Sequence, residues 1–233
     1  MADRVTIAEE GRQTTALLYR AAAGSSIDRT LVLAHGAGAP QESAFMVGFA
    51  TALAERGIDV LTFNFLYTEQ RRRVPDRTEA LEACYRAAVA AARAQFDRAE
   101  VFIGGKSMGG RIATHLAAAE DADALGIAGV VLLGYPLHPP GKPAQLRSAH
   151  LPRIRVPMLI VQGERDPFGT PDELRAVVEG LSAETTLHVV PKGDHSLAPS
   201  RRAEAVAATY RQLQAAIAAW IAGSGRSAKK GPT

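Results

Sequence analysis

Short, strongly apolar β-rich runs alternate along this chain with longer stretches of helical periodicity, and that alternation constrains the fold more than any other feature. The runs are Thr30 to Ala34 (TLVLA), Asp59 to Asn64 (DVLTFN), Glu100 to Gly104 (EVFIG), Gly129 to Leu133 (GVVLL), Met158 to Gln162 (MLIVQ) and Thr185 to Val190 (TTLHVV). Strands that are apolar at nearly every position suit parallel pairing with both faces covered, so the pattern predicts βαβ units and a mostly parallel sheet. Arg4 to Glu9 and Thr14 to Arg20, separated by a short Gly-containing turn, read as an antiparallel pair at the sheet edge. Between the strands, Leu81, Tyr85, Ala88, Ala92 and Phe96 recur at three and four residues and mark a helix with one buried stripe. Asp76 and Glu79 have capping-box spacing at its start. Val206, Tyr210, Leu213, Ile217 and Trp220 mark a last helix ending near Gly223.

With 233 residues, 47% of them hydrophobic, the chain can bury a large core, and nothing in it suggests a second domain. We expect one domain over residues 1–223 and a basic tail over 224–233. The formal charge of +3 is accounted for by Arg226, Lys229 and Lys230 in that tail, which leaves residues 1–223 balanced. The other basic run, Arg71-Arg72-Arg73, falls in a loop, and neither run has the interleaved aromatics that stack on bases, so no nucleic-acid partner is expected. The start, MADRVTIAEE, does not resemble a secretory signal, and no window has the apolar length to span a bilayer. A single cysteine, Cys84, excludes an internal disulfide and a multi-cysteine metal site. These features predict a cytoplasmic protein without membrane contact; the oligomeric state stays open.

The stretch FIGGKSMGGR, Phe102 to Arg111, supports two incompatible readings. A phosphate-binding loop needs a glycine five positions before Gly105, so that the backbone can turn its amides toward phosphate; Glu100 stands there instead, inside a strand. The second reading takes Gly105-Lys106-Ser107-Met108-Gly109 as G-x-S-x-G, a sharp turn that presents a serine between strand and helix and needs small residues two positions away on each side. Chance alone produces G-x-S-x-G in roughly one chain in ten of this length, so its weight comes from its position. EVFIG leads into it, and Gly109 and Gly110 open the helical segment RIATHLAAAE.

A serine hydroxyl needs a base oriented by a carboxylate before it attacks anything at neutral pH. Asp166 follows the MLIVQ strand in GERDP, and His195 follows TTLHVV in PKGDHS. The order Ser107, Asp166, His195, with gaps of 59 and 29 residues, is the order of an α/β-hydrolase triad. Glu164 is the rival acid, placed closer to the strand, and Asp194 reads as a turn former. The turn His35-Gly36-Ala37-Gly38-Ala39 after TLVLA offers free backbone amides; that of Ala37, with that of Met108, would hold an oxyanion while Gly36 and Gly38 shape the turn. His35 is expected to hold this turn, and His115, His150 and His188 carry no role.

With these parts in order the chain resembles the α/β-hydrolase superfamily over about residues 4–222. HGAGA, GGKSMGGR, GYPLHPPGKP and QGERDPFGT together resemble its small dienelactone-hydrolase-like branch, which includes testis-expressed and chromatin-complex relatives. The resemblance implies an eight-stranded, mostly parallel sheet flanked by helices, with Ser107, Asp166 and His195 as the triad. Dienelactone hydrolases proper use a cysteine nucleophile, so that activity does not carry over to a chain with serine. The link from Gly134 to Pro157 is 24 residues, rich in proline, which predicts the absence of a large lid. Asn64, Phe65 and Leu66, with Tyr135, Leu137 and His138, are expected at the pocket rim. The expected activity is that of a serine hydrolase on a small or medium acyl ester, thioester or lactone, with no metal and no cofactor. The alternative is a catalytically silent binding protein of the same fold.

Overall fold

The computed structural model describes residues 2–9, 11–96 and 99–224. Arg226, Lys229 and Lys230 of the expected tail lie outside the described residues. Eight strands, β1 (Asp3–Glu9), β2 (Arg12–Tyr19), β3 (Arg29–Ala34), β4 (Ile58–Phe63), β5 (Glu100–Lys106), β6 (Ile127–Leu133), β7 (Met158–Gly163) and β8 (Thr185–Val190), form one sheet in the order β1-β2-β4-β3-β5-β6-β7-β8. The β1/β2 and β2/β4 pairs are antiparallel and every other pair is parallel. Among the described residues seven helices accompany them, the last following β8: α1 (Ala44–Ala54), α2 (Leu66–Glu69), α3 (Thr78–Gln95), α4 (Met108–Ala117), α5 (Ala122–Leu125), α6 (Pro171–Val178) and α7 (Ala203–Gly223).

The alternation of side chains along β3 explains why helices are needed on both faces. Leu31 and Leu33 join Met46, Phe49 and Leu53 of α1 and Leu213, Ile217 and Ile221 of α7. Val32 and Ala34 turn the other way, toward Leu81, Tyr85, Ala88 and Ala92 of α3 and Ile112 and Leu116 of α4. All of these side chains are buried, each large one contributing about 1.5–3 kcal/mol. Tyr85 also reaches the sheet backbone: its hydroxyl accepts from the Gly104 amide at 2.8 Å and donates to the Gly104 carbonyl at 2.6 Å, with the Val32 carbonyl 2.8 Å away. Burial pushes its pKa up, which keeps it a neutral donor.

The strand boundaries agree with the sequence reading to within two residues, but the expected capping box at Asp76 does not form. Helix α3 begins at Thr78 behind Arg77, with no side-chain cap. The cap position falls to Arg77, one residue past Asp76, and the Asp76 carboxylate instead accepts from the Tyr67 amide at 3.0 Å and pairs with Arg72. Arg72 of the basic run is thereby tied into the loop. The link after β6 contains only a 3-10 turn, Leu151–Arg153, so no large lid covers the C-terminal edge of the sheet. Among the described residues no helix is long and apolar enough to cross a membrane.

Candidate active site

Strand β5 delivers Ser107 directly into α4 through a turn that few sequences could make. Ser107 has φ 50° and ψ −115°, a conformation that costs a non-glycine residue about 1–3 kcal/mol. The turn is also tight. A Cβ at Gly105 would stand 2.6 Å from the Ala34 carbonyl oxygen and from the Gly109 carbonyl carbon, and one at Gly109 would stand 2.5 Å from the carbonyls of both Ala34 and His35. Hydrogen bonds hold the turn on both sides: the Ser107 amide donates to Leu133 and the Arg111 amide donates to Ser107, each at 3.0 Å.

Two loops from neighbouring strands bring the remaining side chains. His195 Nε2 lies 2.8 Å from Ser107 Oγ, and His195 Nδ1 lies 2.8 Å from Asp166 Oδ2. Asp166 is buried, and its carboxylate also accepts from the Phe168 amide at 2.8 Å and from Gln162 Nε2 at 3.0 Å. With a carboxylate oxygen accepting at Nδ1, the ring's donor hydrogen belongs on Nδ1, which leaves Nε2 to accept from the serine. The Phe168 ring stacks on the imidazole at 4.2 Å and 30°, fixing its plane. Glu164 is elsewhere: it accepts from the Lys192 amide at 2.6 Å and ties the two loops together at the surface. Asp194 forms a turn, accepting from the amides of Ser196 and Ala198.

The glycine-rich turn after β3 packs against the elbow. His35 is buried, its Nε2 accepts from the Phe65 amide at 3.1 Å, and its Nδ1 donates to the Gly36 carbonyl at 2.8 Å. Burial lowers the His35 pKa, so the ring stays neutral and keeps both bonds. A Cβ at Gly36 would lie 3.5 Å from Ser107 Cβ, which shows how closely the turn approaches; Gly38, with φ +83°, lets it reverse. Met108 is the first residue of α4, where an amide has no partner within the helix. Among the described residues neither the Ala37 nor the Met108 amide donates to a protein acceptor.

The expected rim residues are placed differently. Asn64 accepts from the Gln41 amide and donates to Glu69, so its amide braces two loops. Phe65 and Leu66 are buried, Phe65 against His35 and Phe63 at 5.1 Å each. Tyr135 is buried, with its hydroxyl donating to the Arg147 carbonyl at 2.7 Å. Leu137 packs under Gly169, while His138 sits 3.3 Å from Glu173 and donates its amide to Phe168. These residues are buried and bonded within the loops around the site. Position after a strand is legible in a sequence, whereas the direction a loop side chain takes depends on partners distant in the chain.

Three neighbours of the site were not expected. Gln162 and Phe168 flank Asp166, and both fall within the QGERDPFGT stretch. Lys106, inside the elbow itself, donates to the His195 carbonyl at 2.6 Å. A cleft of about 680 Å3 lies away from all of these, at the opposite edge of the sheet, lined by residues that include Ala117, Ile127, Arg153 and Pro157. Among the described residues no group of three or more His, Cys, Asp or Glu side chains converges on a metal position.

A family model described as an alpha/beta hydrolase domain matches residues 27–222. Solved structures share the fold at low identity. Dienelactone hydrolase from Anabaena variabilis is 19% identical, with 97% of this chain and 99% of that one covered and a TM-score of 0.75. A lidless α/β serine hydrolase from Xanthomonas campestris is 18% identical, with 97% and 96% covered and a TM-score of 0.73. Est1E from Butyrivibrio proteoclasticus, solved with ferulic acid, is 15% identical, with 94% and 98% covered and a TM-score of 0.76. With the matched domain spanning most of its length, an eight-stranded sheet and no large lid, the chain belongs to the α/β-hydrolase superfamily.

Proposed function

We propose that this protein is a serine hydrolase that cleaves a small or medium acyl ester, thioester or lactone through an acyl-enzyme. The observation that carries this reading is the unbroken hydrogen-bonded chain from Ser107 Oγ through His195 to the buried Asp166, 2.8 Å at each step. Ser107 Oγ attacks the carbonyl carbon as His195 Nε2 takes its proton. The acyl C–O bond of an ester or lactone, or the acyl C–S bond of a thioester, then breaks, and the departing oxygen or sulfur takes that proton from His195. Water attacks the acyl-serine in the same way, its proton passing through His195 back to Ser107, and the free acid leaves. Asp166 holds the Nδ1 proton throughout and stabilises the imidazolium. In this reading the Ala37 and Met108 amides donate to the oxyanion, each such donor being worth about 3 kcal/mol.

The strain at Ser107 supports the reading, since such conformations persist where the surrounding structure enforces them for a purpose. So do the neighbours, among which are a dienelactone hydrolase and proteins described as esterases. The missing lid favours short acyl groups in solution over lipid at an interface. Cys84 is no rival nucleophile, because burial pushes its thiol up to about 12. One cysteine, without a disulfide partner, suits a reducing cytosol.

Intact-mass analysis after fluorophosphonate treatment tests the proposal. We expect one adduct per chain, mapped to the peptide containing Ser107. Esters of graded chain length should then be turned over, short chains fastest. A folded protein that takes no label would instead be a binding protein of this fold.

A further inference from the structure

Lys106 fills the variable position between Gly105 and Ser107, where a side chain would be expected to reach solvent. It does not: its ammonium crosses the end of β6 and donates to the His195 carbonyl at 2.6 Å, 89 residues away in sequence. The path is kept open at Gly134, φ +67°, where a Cβ would stand 3.0 Å from both Lys106 Nζ and the His195 carbonyl oxygen. Three strand ends thus contribute to one contact: β5 the donor, β6 the gap, and the loop after β8 the acceptor.

We propose that Lys106 is a positioning residue for the hydrolysis, a latch that ties the loop carrying His195 to the elbow carrying Ser107 and holds Nε2 within hydrogen-bonding reach of Oγ. This rests on the reading of the site as a serine hydrolase. Other contacts hold the loop at its outer parts: Arg165 and Glu164 grip Lys192, and the Tyr210 hydroxyl donates to the Ser196 carbonyl at 2.8 Å. Among the described residues the lysine's is the bond made to the backbone of His195 itself. Both reacting side chains are therefore referred to a single ammonium.

The arrangement costs stability, which argues that its value lies elsewhere. Burial lowers the Lys106 pKa to about 8, against the opposing pull of Asp166 from the acid loop and Asp194 from the histidine loop. A cation whose folded pKa lies below its unfolded value penalises the fold where it is charged in both states, below about pH 8. The penalty lessens as pH rises from 8 toward the unfolded value, because the folded chain then releases its proton first. An apolar side chain of similar length would escape this penalty.

Lys106→Met is the test. We expect fluorophosphonate labelling and kcat/KM to fall about 100-fold, the scale of a 1 Å misplacement of reacting groups, while Tm at pH 7 holds or rises and its difference from wild type narrows above pH 8. Wild type should show a descending alkaline limb near pH 8 that the variant lacks, and amides of residues 194–197 should exchange hydrogen faster in the variant. Wild-type labelling rate and pH profile in Lys106→Met would overturn the proposal, as would a fall in Tm that matches the loss of activity. Hydrogen exchange keeps the two ideas separable: if even wild type takes no label, the hydrolase reading fails, while exchange over 194–197 still reports the latch. Equal exchange in the two proteins would show that the latch does not hold the loop.

Discussion

Ser107→Gly should be more stable than wild type while having lost its activity, and Ser107→Ala should lose as much activity without gaining stability. Removing the nucleophile is expected to lower kcat/KM by roughly 10,000-fold or more, because His195, Asp166 and the two amides then have no attacking atom to serve. The stability arms separate backbone strain from side-chain chemistry. At φ 50° and ψ −115° any residue with a Cβ is strained, so alanine inherits the strain and glycine relieves about 1–3 kcal/mol of it. Glycine returns part of that through the greater freedom of its unfolded chain, about 0.5–1 kcal/mol. A net gain of up to about 2.5 kcal/mol would raise Tm by up to roughly 10 °C in a chain of this size. Thermal unfolding of the three proteins in parallel is the measurement. A glycine variant less stable than the alanine one would mean that the elbow is not strained, and with it would go the argument that the fold pays for the serine's exposure.

That strain was readable in the sequence because its causes are steric and local. Gly105 and Gly109 stand two residues either side of Ser107 because a Cβ at either would collide with backbone at 2.5–2.6 Å, and collisions of that kind leave a spacing rule behind. The strands were readable for a similar reason. Leu31 to Ala34 or Met158 to Val161 bury every side chain, so the runs are apolar throughout and end where glycine-rich loops begin. Asp166 and His195 followed from the geometry of a parallel sheet, which collects the ends of β5, β7 and β8 at one edge. The misses have a different character. Asp76 was read by its spacing to Glu79, yet the donors that claim it come from Tyr67 and Arg72. The capping box that does form, Thr170 with Glu173 and Pro171 between them, has the same three-residue spacing. Asn64 and Phe65 stand just past a strand as expected, but their side chains turn to Glu69 and His35. No spacing rule could have joined Lys106 to a carbonyl 89 residues on; that contact exists only once the sheet has formed.

The acid is the part of the site where sequence left two candidates, and Asp166→Asn against Glu164→Gln decides between them. In the fold Asp166 accepts three donors: His195 Nδ1 and Gln162 Nε2 on Oδ2, and the Phe168 amide on Oδ1. An asparagine has one acceptor oxygen, so whichever way its amide turns, an NH2 group meets at least one of these donors. If the NH2 faces His195, the imidazole must shift its proton to Nε2 to accept from it, and the nitrogen that should take the serine's proton is then occupied. If the NH2 faces Phe168, a buried backbone donor loses its acceptor and the loop that carries the ring stacked on His195 must move. We therefore expect labelling and kcat/KM to fall about 10,000-fold in Asp166→Asn, a loss of about 5 kcal/mol of transition-state stabilisation. Glu164→Gln should stay near wild type, since that carboxylate accepts from the exposed Lys192 amide and a glutamine oxygen can do the same. Labelling of Asp166→Asn within tenfold of wild type, or a collapse of Glu164→Gln, would remove Asp166 from the role. In the first case Phe168 stacking would orient the His195 ring without the carboxylate, and in the second Glu164 would carry the role.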